Sequence, residues 1–217
     1  MVEYYIVGAG GQARQILSIA KKAIPDLGVR GFIGLDKEKG KIINGLPCIT
    51  ESDILSVDRR NVVLLNGLGR PNRRNAIERS ISLGFKFQSL VHPSANVEDY
   101  VSIGYGSVIQ AGVGIMTNVE VGKFVLIDMN ATVGHDMNIG DYSTISTGVN
   151  MAGGVKVGKG CWIGSGTTII EDVNIGDNVL IGAGSVVTRD IEKNSLAYGN
   201  PAKVIREISD VSTELIR

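Results

Sequence analysis

VGKFVLIDMNATVGHDMNI, residues 121–139, carries an aliphatic residue at every sixth position: Val121, Ile127, Val133 and Ile139. The register extends both ways. Upstream it takes in Ile115, Ile109, Ile103 and Val97; downstream it runs through Ile145, Met151, Val157, Ile163, Ile169, Ile175, Ile181 and Val187. All sixteen anchors are aliphatic or methionine, which chance does not sustain over such a length. Four positions after each anchor stands a mostly small residue, such as Ser107, Ala131, Ser143 or Cys161. It lies two before the next anchor, so each pair flanks one outward residue and makes a short strand. The third position after the anchor is Gly, Asn or Asp in thirteen of sixteen cases; Tyr100, Phe124 and Tyr142 are the exceptions. Those residue types accept a left-handed backbone, so each hexad ends in a corner. Three strands and three corners make one coil of a parallel β-helix. Five coils stacked at about 4.8 Å give a prism about 24 Å long.

The three edges of this prism differ. One carries Thr117-Asn118, His135-Asp136, Gly153-Gly154 and Glu171-Asp172. Another carries Lys123-Phe124, Asp141-Tyr142, Lys159-Gly160 and Asp177-Asn178. The third is nearly bare: Ala111-Gly112, Met129-Asn130, Thr147-Gly148, Ser165-Gly166 and Ala183-Gly184. A bare edge exposes backbone amides to a long amide-bearing ligand, such as the pantetheine arm of coenzyme A. The plainer reading is that small corners stack well.

Only two histidines occur. His92 precedes Pro93 and reads as a capping or packing residue. His135 stands at a corner, outside the core, with Gly153-Gly154 one coil above it. The missing side chains leave space against the ring, and imidazole titrates near neutrality, which suits a general base. Asp136 suits a carboxylate that orients and charge-stabilises an imidazolium. The corner alone also explains an Asp there.

The first ninety residues read differently. Tyr4–Val7 is a buried strand, and Gly8-Ala9-Gly10-Gly11-Gln12-Ala13 follows it. Gly8, Gly10 and Ala13 fit G-x-G-x-x-[GA], a turn that brings backbone close to a phosphate at a helix start. Helical spacing runs from Gln12 to about Ala23. Further strands are expected at Gly31–Ile33, Val62–Leu65 and Phe87–Val91, with a helix over Asn72–Ser82. Asp36 ends the second strand, where an acidic residue meets a ribose or base. Arg70, Arg73 and Arg74 cluster after the third strand and suit phosphate contacts; Arg73 and Arg74 read equally as the solvated face of a helix. The expected organisation is a small α/β Rossmann-like domain over 1–92 and an all-β solenoid over 93–217. A nicotinamide-dependent dehydrogenase is disfavoured, because no catalytic domain other than the β-helix follows.

Composition sets the outer limits. Lysine plus arginine equals aspartate plus glutamate, so no net field draws the chain to nucleic acid or an anionic membrane. Cys48 and Cys161 match no metal or redox spacing, and no metal is expected. Met1 is followed directly by a strand-like segment, and no apolar run is long enough to span a bilayer. A cytoplasmic protein is expected.

Together these features resemble the sugar O-acyltransferase family of hexapeptide-repeat proteins, which holds sialic acid O-acetyltransferases and nucleotide-linked amino-sugar N-acetyltransferases. The resemblance rests on an ordered set. It comprises Gly8-Ala9-Gly10-Gly11, Leu90-Val91-His92-Pro93-Ser94-Ala95, the hexads, Gly134-His135-Asp136, Ala152-Gly153-Gly154-Val155, Ile181-Gly182-Ala183-Gly184-Ser185 and Gly199-Asn200-Pro201-Ala202. It implies a left-handed helix and a homotrimer with active sites between neighbouring prisms. It implies acetyl-CoA as co-substrate, with contacts at Thr144, Gly153, Ser165 and Ala183. It implies that a nucleotide-linked amino-sugar is held by Gly10, Gly11, Gln12, Asp36, Gly69 and Arg70. His135 matches the family's base and Asp136 its acidic partner. Gln12 stands where many members have histidine, and Thr144 where some have a second one. The implied reaction is N-acetylation of a nucleotide-linked 4-amino-sugar. O-acetylation of sialic acid is the near alternative, and a non-catalytic nucleotide-sugar sensor or structural solenoid the distant one.

Overall fold

The computed structural model describes residues 2–24, 26–69 and 73–215, which divide into two compact units, Met1–Leu90 and Val91–Arg217. The first contains β1 (Glu3–Val7), α1 (Gly11–Ala23), β2 (Val29–Gly34), β3 (Ile42–Ile43), β4 (Leu46–Thr50), α2 (Glu51–Ile54), β5 (Val62–Asn66), α3 (Arg73–Ser82) and β6 (Lys86–Gln88). Its sheet order is β3-β4-β2-β1-β5-β6, parallel except for β3. The order of connection reverses between β1 and β5, the place where α/β sheets leave a crevice. Ala13, Ile16, Leu17 and Ala20 form the buried stripe of α1 at helical spacing.

Two expectations need correcting in this unit. The run Phe87–Val91 is not one strand: Lys86–Gln88 pairs with β5, while Leu90–Val91 opens a face of the coil. The hairpin Ile42–Thr50 has no counterpart in the sequence reading. Its signal is Asn44-Gly45, both at positive φ (47° and 82°), the residue pair that two-residue hairpins favour. Asn72 lies outside the described residues; within them the third helix begins at Arg73.

The second unit is a β-helix. Two-residue strands pair in parallel with those eighteen positions away, as Leu126↔Thr144 and Thr132↔Asn150 do, and they form three sheets. The first face holds Val108–Ile109, Leu126–Ile127, Thr144–Ile145, Trp162–Ile163 and Leu180–Ile181. The second holds Asn96–Val97 through Val186–Val187, and the third Ser102–Ile103 through Asn174–Ile175. Every anchor from Ile109 to Val187 is buried, as is every second inward residue from Ser107 to Ser185. The inward hydroxyls are all satisfied. Ser107 Oγ donates to the Gly122 carbonyl (2.7 Å) and accepts from the Val125 amide (2.9 Å), and Ser143 bridges Gly158 and Cys161 in the same way. A buried hydroxyl without such partners is costly, so these serines tie one coil to the next. Cys161 joins this core; burial pushes its thiol up to about 12.

The corners confirm the backbone argument and extend it. All fifteen third-after-anchor residues from Tyr100 to Gly184 have positive φ, including the aromatic exceptions Tyr100 (60°), Phe124 (55°) and Tyr142 (63°). Bulky residues disfavour this region. Phe124 is fully buried, stacked on Tyr142 at 5.3 Å and 11° and edge-on to Tyr105 at 5.3 Å. Ring packing offsets the backbone strain there. Beyond the last hexad, Ser195–Gly199 and Ala202–Glu207 form a hairpin, and Ile208 and Val211 pack on Leu180 and Trp162 of the first face.

Phe124→Ala is expected to destabilise the protein by about 3–5 kcal/mol, as for a buried ring. Phe124→Gly, which relieves the left-handed strain, is expected to lose about 1 kcal/mol less. Urea denaturation of the two variants measures both quantities. Equal losses would show that corner strain contributes nothing.

Candidate functional site

The corner between the second and third faces brings the sequence candidates together. His135 Nδ1 lies 2.7 Å from Asp136 Oδ2, and both side chains are more than half exposed. A carboxylate only accepts, so Nδ1 carries the proton whenever the ring is neutral. The lone pair is then on Nε2, which this pair leaves free. Asn118, one coil back, donates from Nδ2 to Asp136 Oδ1 at 3.1 Å. The hydrogen bond from His135, and then that from Asn118, hold the Asp136 carboxyl below the usual carboxylate range. In the sequence, the eighteen-residue offset between Asn118 and Asp136 is the signal that brings them together.

Gly153 lies against the other side of the ring. A Cβ built on it would stand 2.6 Å from both Cε1 and Nε2 of His135, closer than any real contact. The imidazole holds its place only because residue 153 has no side chain. The Gly153 amide has no acceptor among the described residues. A groove of about 250 Å³ on the second face ends at Gly134 and Gly153; Gly114, Met116 and Thr132 also line it.

The remaining candidates separate. Ser165 and Ala183 are exposed on the bare edge, as are Thr147 and Met129 at the corners before them. The amides of Thr147, Ser165 and Ala183 have no acceptor among the described residues, whereas the carbonyls of Thr147 and Ser165 accept from the amides of Gly166 and Gly184. The edge between the third and first faces is different. There Asp141 caps the Lys123 amide (2.8 Å) and Asp177 caps that of Lys159 (2.7 Å). Thr144 is fully buried on the first face, between Leu126 and Trp162 in register, and its side chain has no surface to offer. His92 turns its Nδ1 to the Ser94 amide (3.1 Å) and hydroxyl (2.8 Å), a capping arrangement.

In the first unit Gly10 caps α1 without a side-chain bond, and Gly11 begins it. No side-chain hydrogen bond from the cap residue reaches the early amides, and Lys21 and Lys22 occupy the last turn, as the helix dipole favours. Gly8 has φ +104°, a conformation that allows the tight turn. Gly69 packs on Gln12, where a Cβ would touch the side chain at 3.2 Å. Gln12 Nε2 is buried with no partner among the described residues. Asp36 is exposed at the start of a single 3₁₀ turn, and Arg70 lies outside the described residues. Arg74 pairs with Glu78 along α3 at 2.9 Å. A cavity of about 310 Å³ opens beside Gly8–Gly10, lined by Ile33, Leu64 and Phe85 with Glu38 at its rim. Glu38, two residues beyond Asp36, was not singled out from the sequence. Among the described residues no three His, Cys, Asp or Glu side chains cluster as a metal site, and no helix is long and apolar enough to cross a membrane.

Replacing Gly153 with Ala forces the His135 ring to move. Because the chain has two histidines, imidazole NMR separates them. The His135 resonances are expected to shift and those of His92 to stay. Unmoved His135 signals would show that the corner has room for a methyl group.

Comparison with known proteins agrees with this architecture. Residues 154–189 match the family model described as bacterial transferase hexapeptide (six repeats). GDP-perosamine N-acetyltransferase of Escherichia coli O157:H7 is 29% identical over 137 residues, 61% of this chain and 62% of that protein, so the match spans less than two thirds of that relative. The acetyltransferase domain of PglB from Neisseria gonorrhoeae FA1090, in complex with acetyl coenzyme A, is 30% identical with a TM-score of 0.85, over 94% of this chain and 98% of that one. PerB from Caulobacter crescentus, in complex with CoA and GDP-perosamine, is 28% identical with a TM-score of 0.87, over 95% and 98% of the two chains. The hexad register and the near full-length likeness to the PglB domain lead to one assignment: the chain belongs to the hexapeptide-repeat acyltransferase family.

Proposed function

We propose that the protein is an acetyl-CoA-dependent N-acetyltransferase acting on the 4-amino group of a nucleotide-linked deoxy-sugar. The observation that carries this reading is the exposed His135–Asp136 pair with an uncapped amide at Gly153 beside it. The likeness to proteins solved with acetyl coenzyme A, and with CoA and GDP-perosamine, supports the substrate class. In this reading His135 Nε2 takes the proton from the acceptor amine and Asp136 stabilises the imidazolium. The Gly153 amide faces the developing oxyanion. Acetyl-coenzyme A supplies an activated thioester. Its pantetheine carbonyls are acceptors, and the bare edge offers the donors they need at Ser165 and Ala183.

The first unit is then a Rossmann-like nucleotide-sugar domain in a chain divided near 92. The turn at Gly10-Gly11 approaches the phosphates, with Gln12 and Gly69 beside it. Asp36 and Arg70 complete the proposed contacts. The β-helix is taken as left-handed and trimeric, with sites between copies. The second face supports that arrangement. Its outward strand residues Asn96, Gly114, Thr132, Asn150, Thr168 and Val186 carry no charge, and Met116 and Ile170 are exposed beside them. The third face carries Glu120 and Lys156 instead.

General-base help is worth about 10²–10⁴-fold. An amine attacks before it loses its proton, so His135→Ala is expected to cost towards the lower end, roughly 10²-fold in kcat with KM little changed. Following free thiol from acetyl-CoA with a panel of nucleotide-linked 4-amino-sugars measures this. Unchanged turnover in the variant removes His135 from the role. Thiol release with sialic acid but with no amine overturns N-transfer in favour of O-transfer. Because its hydrogen bonds hold the Asp136 carboxyl below the usual carboxylate range, Asp136 is expected to stay ionised through that range and to contribute no fall of kcat/KM there, which a pH profile measures.

A further inference from the structure

We propose that Asn118 is a positioning residue for the His135–Asp136 pair: its amide fixes the Asp136 carboxylate so that the neutral imidazole is held with its proton on Nδ1. The inference rests on His135 being the base. Among the described residues the Asp136 carboxylate has two side-chain partners, one per oxygen: His135 on Oδ2 at 2.7 Å and Asn118 on Oδ1 at 3.1 Å. The carboxylate is exposed, and an exposed carboxylate with one tether rotates freely about its last bond. The second tether removes that rotation. Nothing else in the flanking coils can do so, because the residues facing this corner are Thr117-Asn118 and Gly153-Gly154, none of them charged. The Thr117 hydroxyl is directed back to the Asp99 carbonyl (3.0 Å), away from the pair. The assignment of the Asn118 amide is chemically forced, since only its NH₂ end donates to a carboxylate.

The tautomer matters because an isolated neutral imidazole does not settle on Nδ1–H by itself; the bond made at one nitrogen decides which is protonated. With the proton on Nδ1, Nε2 keeps the lone pair at the face beside Gly153. With the proton on Nε2, the base is blocked.

Asn118 has a competing and simpler explanation. It sits at φ 58°, where Asn is favoured, and side-chain rungs join coils eighteen residues apart at other positions too, as Thr132–Asn150 and Glu120–Asn138 do. The two roles are separable because glycine also accepts φ 58° without strain. Asn118→Gly deletes the amide and leaves the corner intact. Asn118→Asp keeps size and corner preference but replaces the donor with an acceptor.

The experiment is ¹⁵N imidazole NMR above the histidine titration, with His92 as the internal control, together with steady-state kinetics and melting temperature for the full chain. In the wild type, His135 is expected to be predominantly the Nδ1–H tautomer. In both variants it is expected to shift towards Nε2–H, with melting temperature held. The expected fall in kcat is about tenfold at constant KM, the scale of one hydrogen bond to a charged group at an exposed site. An unchanged tautomer ratio and kcat in Asn118→Gly overturn the proposal and leave Asn118 as a coil rung. A melting temperature that falls with no tautomer shift does the same. If the tautomer shifts while His135→Ala retains full turnover, the positioning holds and the base assignment fails.

Discussion

Fifteen corners in the left-handed region, one every six residues, are what the solenoid is built around. Eight of them are not glycine, and each of those costs about 1–2 kcal/mol against an ordinary backbone conformation. The cost is met by a ladder of bonds along each edge. The corner amide donates one coil back, as Asp136 does to Thr117 (3.1 Å) and Gly154 to His135 (2.9 Å). That ladder fixes the lateral position of every corner to within a hydrogen bond. Residues eighteen apart therefore stand in a column, and this alignment sets Gly153 against the His135 ring and Asn118 against Asp136.

The same ladder explains why three chemically equivalent edges acquire different properties. It uses the corner carbonyls and leaves the preceding amide pointing at the next coil. Where the next coil supplies an Asp, as at Asp141 and Asp177, that amide is capped and the edge is closed. Where it supplies Ser165 or Ala183, the amide stays open. The difference lies in one side chain per coil, on a backbone that does not change.

The repeat is legible in the sequence because a closed core demands it: sixteen anchors and their partners must fit a fixed triangular section. The His135–Asp136 pair is legible for the same reason, since the register alone decides that both point outward. What escapes is set by later chain or by packing. Phe124 and Tyr142 violate the corner preference because two stacked rings compensate each other. Thr144 is outward by register yet buried, as are Leu126 and Leu180 on the same face, where Ile208 and Val211 of the later chain pack on Leu180. In the first unit the Asn44-Gly45 turn was readable in principle, whereas the placement of Glu38 at the cavity rim depends on how a 3₁₀ turn is directed.

The corner also constrains what chemistry the site can contain. Positions such as 118, 136 and 154 must be left-handed, which restricts them largely to Gly, Asn and Asp. Positions 135 and 153 are not at positive φ and are free of that demand. The restricted set happens to include a carboxylate, an amide donor and an empty place. These are the three things needed to orient an imidazole and leave one of its faces open. Side chains at the unrestricted positions then decide whether a corner is inert or reactive. Asn130 holds the same backbone conformation as Asn118, but one coil on its column carries Thr147-Gly148 where the Asn118 column carries His135-Asp136. Of the residues gathered at this corner, His135 is therefore the one that the scaffold does not already favour.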